Sequence, residues 1–231
     1  MFDRLIATIW HLRDAEADDL IVRWVIDHLP DLASVVFGLS LVFALGNQSV
    51  LTKGLETVDL FGPAMFTTFW ISLIGRIAFV LMSWLMFYRT IAIVRRASSA
   101  FLIVMMVALG LNLLAEVCFF STPVLAFFDQ GAGSPYIREY TCLFLFGYFF
   151  LLVVGCALQT KNVQSYAFGH GLFLFGLALF FLCLAMAYKT GALIWSYLGA
   201  ALCLCAFAAG RAHNSVYRLV QGTEIRALMQ R

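Results

Sequence analysis

Three residues of this chain have the type and spacing to do chemistry where chemistry is costly: Arg76, Asn112 and Glu116. Each stands inside a long apolar stretch. An arginine in mid-bilayer costs about 2.5–3.5 kcal/mol on insertion scales, so such a group normally faces inward and finds a partner. Arg76 precedes Tyr88, the end of its stretch, by twelve residues, which is about 18 Å of helix. Asn112 and Glu116 follow Ser99 by thirteen and seventeen residues, or about 20 Å and 26 Å. Being four apart, they share a helix face. The sequence therefore predicts a buried polar cluster, read either as a clamp between two helices or as a station on an ion, proton or anion pathway.

The other reactive side chains form no set. His11, His28, His170 and His213 fall at stretch ends or in polar segments, although His170 and His213 belong to the same side of the chain's topology. A haem needs axial histidines at matching depth, and zinc needs three or four ligands. Neither set is complete, so no metal and no cofactor is expected. Cys118, Cys142, Cys156, Cys183, Cys203 and Cys205 all lie in apolar stretches and make no CxxC pair. Cysteine there acts as a small hydrophobe. Cys203 and Cys205, two apart on a helix, face different ways. Cys118 and Cys142 alone stand near the outer ends of consecutive stretches, where an oxidising compartment would allow a disulfide. No HExxH, GxSxG or Walker-type pattern occurs, and the short polar connections leave no room for a catalytic domain, so the chain is not expected to be an enzyme.

The elements that must position these residues are spanning helices. Hydrophobic residues make up 63% of the chain and charged residues 12%, half the share of about 25% usual in soluble domains. The hydrocarbon core is about 30 Å thick and needs about 20 apolar residues to cross. Six stretches meet this, at 32–51, 63–88, 99–120, 141–159, 166–188 and 191–210. The first is the weakest, diluted by Gly46, Asn47, Gln48 and Ser49. The expected architecture is all-α, a six-helix transmembrane bundle over 32–210.

Charge sets the orientation, because Lys and Arg are retained on the cytoplasmic side. Eleven of the fifteen basic residues fall on one set of segments, from Arg4, Arg13 and Arg23 through Arg89, Arg95, Arg96 and Lys161 to Arg211, Arg218, Arg226 and Arg231. Only Lys53, Arg138 and Lys189 fall on the other. Both termini are thus expected in the cytoplasm, which agrees with an even number of spans.

Residues 1–31 carry Asp14, Glu16, Asp18 and Asp19 and do not resemble a signal or transit peptide. Phe2, Leu5, Ile6 and Ile9, then Leu20, Ile21, Trp24 and Val25, recur at helical spacing. Two interfacial helices are expected, the second capped by Asp19 and closed by Pro30. Residues 211–231 read as a basic cytoplasmic tail, with a short amphipathic helix that Gly222 would bend.

Small residues concentrate in the sixth stretch. Ala201, Cys205 and Ala209, and Ala206 with Gly210, recur at spacing four, which lets another backbone approach. The halves also echo one another, for example in Phe37–Gly38 and Phe146–Gly147, or Tyr88–Arg89–Thr90 and Tyr188–Lys189–Thr190. Three spans per half would make such a repeat inverted, a transporter plan. Two functions follow as expectations. One is a non-enzymatic membrane subunit of a larger bacterial inner-membrane assembly for secretion, DNA transfer or a similar task, partnered by the bilayer and by other subunits or its own copies, with no nucleic acid. The other is a small ion or solute transporter or channel built on Arg76, Asn112 and Glu116.

Overall fold

The computed structural model describes residues 20–46, 63–92, 99–121, 135–159 and 166–229, and among them every regular element is an α-helix. The six are α1 (Leu20–Gly46), α2 (Pro63–Ala92), α3 (Ser99–Ser121), α4 (Pro135–Gln159), α5 (Tyr166–Thr190) and α6 (Ile194–Met229). Five contain stretches long and apolar enough to cross a membrane: Leu73–Ala92, Ser99–Cys118, Tyr136–Leu158, Ala167–Thr190 and Ile194–Val216. The amphipathic pattern expected over Phe2–Ile9, the Asp19 cap and the polar loops lie outside the described residues.

Pro30 does not close a helix. It lies inside α1, as the eleventh residue of the helix. Proline has no N–H, so the helical bond to the carbonyl of Ile26 is lost. The helix survives because its packing continues across the break: Leu29, Ala33 and Phe37, four apart, are all buried. Side chains serve neighbouring carbonyls, His28 Nδ1 lying 2.8 Å from the Trp24 oxygen and Ser34 Oγ donating to the Pro30 oxygen at 2.8 Å. The backbone of α6 likewise runs on through Gly222 to Met229 without interruption.

α4 is the hub, packing on α3 along one side and α5 along the other and touching α2. Phe149 of α4 stacks on Phe181 of α5 at 5.5 Å and 3°, and Phe79 of α2 meets the same Phe181 edge-on at 5.8 Å. Tyr148, Leu152, Leu174, Phe87, Phe101 and Met105 complete this core. α1 is the helix that packs against both α2 and α3, which make no extended contact with each other. In the second half the helix with two neighbours is α5 instead. The two halves thus pack in different orders.

The α5–α6 seam is set by glycine. A Cβ on Gly176 would stand 2.5 Å from the Ala206 Cβ, and one on Gly210 would stand 2.5 Å from the Gly169 carbonyl oxygen. In an apolar solvent, close approach of this kind supplies van der Waals packing that hydrophobicity does not. Gly191 makes the hairpin possible: its φ is +69°, and its N–H returns to the Ala187 oxygen at 2.8 Å. This is a left-handed cap that a Cβ would strain.

Gly210→Ala should therefore lower the thermal unfolding temperature of the detergent-solubilised protein, by an overpacking cost of about 1–3 kcal/mol. Gly38 has nothing within 4 Å of its absent Cβ. Gly38→Ala should stabilise by about 0.5–1 kcal/mol through helix propensity alone, and unfolding curves of the two variants measured together separate packing from propensity.

Candidate functional site

Several buried polar groups of the first four helices meet in the interior of the bundle. On α2 the buried stripe runs Leu73, Arg76, Val80, Ser83, Phe87, Thr90, alternating polar and apolar groups at helical spacing. On α3 Asn112 and Glu116 are both buried, with 0% and 2% of their surfaces exposed. Asn112 Nδ2 donates to Glu116 Oε1 at 2.6 Å, as expected of residues one turn apart. The second carboxylate oxygen accepts from the Ser40 hydroxyl of α1, which also lies 3.0 Å from the Val36 carbonyl one turn back. Ser40 is what ties α1 to α3 in the interior.

Arg76 is buried on α2, 3% exposed. Thr90 and Met105 both flank Gly155 and so mark a common level on α2 and α3. Counting outward from it, Arg76 lies about 21 Å and Glu116 about 16 Å along their helices. The depths are similar, but α2 and α3 lack extended contact. Among the described residues the hydrogen-bond partners of Glu116 are Ser40 and Asn112, and Arg76 is not one of them. The structure thus brings Asn112 and Glu116 together, with Arg76 buried on α2 outside their hydrogen bonds.

Tyr148 joins these groups from α4. Its side chain is fully buried and its hydroxyl donates to the Ser83 carbonyl oxygen at 2.7 Å. It also lies within electrostatic range of Glu116. A serine carbonyl in mid-helix is already bonded within its own helix, so the phenol uses its second lone pair. Burying a carboxyl in apolar surroundings is tolerated only with such partners. Chemically, the group is a hydroxyl, an amide, a carboxyl and a phenol from three helices, able to hold a proton or lock helix positions.

Sequence reasoning missed Ser40, Ser83 and Tyr148, because a serine or tyrosine in an apolar stretch is unexceptional. It also placed Arg138 in an outer loop. α4 begins at Pro135, and Arg138 is 5% exposed, its Cζ 6.0 Å from the ring centre of Tyr188 on α5. The signal was a tyrosine at the outer end of the adjoining span, level with that arginine. All six cysteines are thiols, Cys118 and Cys142 included. Among the described residues no three His, Cys, Asp or Glu side chains group to hold a metal.

The small residues of α6 divide between two faces. Ala206 and Gly210 lie against α5, with Cys203 beside Gly176. Ala201, Cys205 and Ala209 are exposed on the outward face. At the opposite end of the bundle from Arg138, Thr90 Oγ1 lies 3.4 Å from His170 Nε2, joining α2 to α5, and His213 packs against Phe168 at 5.1 Å.

No protein-family model, no curated protein and no solved structure matches this chain. Its class is therefore defined by the fold alone: an all-helical protein whose five long apolar helices are compatible with an integral membrane protein.

Ser40→Ala should destabilise the protein by about 1–3 kcal/mol, the cost of leaving a buried carboxyl one partner short. In a Glu116→Leu background the same change should cost little, since Ser40 then serves only its own helix. A double-mutant cycle on unfolding in detergent checks this, and additive effects would exclude the coupling.

Proposed function

We propose that this protein is a non-enzymatic membrane subunit of a larger bacterial inner-membrane assembly, crossing the bilayer six times with both termini in the cytoplasm. The observation that supports this best is α6. Only 11% of its spanning stretch is buried, against 33–44% in the other four. α5 is the single helix with which it makes extended contact among the described residues. Its outward face carries Ala201, Cys205 and Ala209, flanked by Ile194, Tyr197, Leu204 and Phe207. A smooth face of small residues between bulky ones suits a second helix better than acyl chains, because backbones can meet there. The eleven-to-three distribution of basic residues supports the orientation, and α1, apolar on its buried stripe, supplies the sixth crossing.

Arg76, Asn112 and Glu116 support a second reading, transport. A carboxyl held by a hydroxyl and an amide in mid-span, with a phenol nearby, is the kind of group on which proton or ion movement is built. On that reading Glu116→Gln abolishes flux in reconstituted vesicles while the protein remains folded.

For the subunit reading, the chain extracted from its host in mild detergent should run as a particle heavier than one copy, with stoichiometric companions. Ala201→Leu combined with Ala209→Leu should release it as a stable monomer, because those positions are exposed in the isolated bundle. Native mass measurement decides: a wild-type particle of a single chain would overturn the proposal and move the weight to transport.

A further inference from the structure

At the end of the bundle where α2 and α6 leave the apolar zone and α5 enters it, the three helices enclose a cavity of about 280 Å³. Its polar wall is Arg89, His170, Arg211, Asn214 and Ser215. Two arginines and, among the described residues, no carboxylate line it, which suits an anion. Its other wall is apolar. Phe173 and Phe207 meet edge to face at 5.5 Å, and Met86 closes the side toward α2. The site is built rather than incidental. His170 is 3% exposed and held 3.4 Å from Thr90, and Gly169 and Gly210 admit Asn214 and the α6 backbone close against α5. The Asn214 amide packs against Gly169, where a Cβ would displace it.

We infer that this cavity binds the headgroup phosphate of an anionic phospholipid. Each wall matches one part of such a molecule. Arginines pair with the oxygens of a phosphodiester as charge-assisted donors. The Phe173–Phe207 wall adjoins the outward face of α6, where Phe207 is 47% exposed, and gives the glycerol and acyl chains a path to the bilayer. The volume is just under the roughly 300–1,000 Å³ of drug-sized pockets, which suits a headgroup with its tail outside. Basic pockets between spanning helices on the cytoplasmic side are recognised sites for such lipids, and Arg89 and Arg211 both belong to the arginine-rich end. The inference stands whether the protein acts in an assembly or in transport.

The test uses the full chain purified in a neutral detergent and titrated with phosphatidylglycerol, read by native mass spectrometry. One phosphatidylglycerol should be retained per chain, and phosphatidylcholine should not. Retention should weaken roughly fivefold for each arginine removed in Arg89→Gln and Arg211→Gln, and roughly twenty-five-fold in the double variant. Both side chains are exposed, so folding should survive, and Lys189→Gln at the opposite end should leave binding unchanged. Equal retention of phosphatidylcholine, or undiminished retention by the double variant, would overturn the inference. Displacement of the lipid by millimolar inorganic phosphate would also overturn it, assigning the arginines to a soluble phosphate compound instead.

Discussion

A backbone in hydrocarbon has no water to bond to, and the five long apolar helices are compatible with that constraint. Helices satisfy it internally, which is why the described residues contain nothing else. The same constraint raises the cost of any departure, and the departures are few and covered. Pro30 removes one bond in α1 and is flanked by side chains that serve neighbouring carbonyls. Gly191 turns α5 into α6 with its own N–H returned to the helix it leaves.

Once backbones are satisfied, something other than hydrophobicity must choose which helices meet, since lipid tails are as apolar as leucine. The chain uses two devices in different halves. The α5–α6 hairpin meets through glycine, with Gly176 and Gly210 allowing near contact of backbones. The first four helices meet through polar groups: Ser40 reaches Glu116, and Tyr148 reaches the Ser83 carbonyl. The glycine device fixes distance, and the polar device fixes register, because a hydroxyl one turn out of place loses its partner. α1, which is attached by comparatively little packing, depends on register most.

Periodicity and composition were enough to locate the helices, because immersion in hydrocarbon acts on every residue of a span alike. They were not enough to pair the helices. A span apolar all round carries no moment to say which face turns inward, so the contact of Asn112 with Glu116 was legible within one helix while the arrival of Ser40 from another was not. The expected partnership of Arg76 with that pair assumed that helices adjacent in sequence are adjacent in space. α1 instead packs on both, and that is a property of tertiary packing with no local signature. Pro30 misled for a related reason: its intrinsic penalty of about 3 kcal/mol is a local quantity, and the buried stripe Leu29–Ala33–Phe37 that outweighs it is not.

The distribution of these devices bears on how the molecule is used. Polar register marks are concentrated where α1, α2, α3 and α4 converge, so that part of the bundle has one well-defined arrangement. Among the described residues α6 makes extended contact only with α5, and its outward face sets small residues between the bulky Ile194, Tyr197, Leu204 and Phe207. A helix presented this way gains nothing from lipid that a protein partner would not also supply, and it gains close backbone contact only from the partner. A lipid held between the arginines where α2 and α6 leave the apolar zone, as proposed, would brace α6 from α2. The face offered to another chain would then be held in place at both ends, by the Gly191 hairpin at one and by a headgroup at the other.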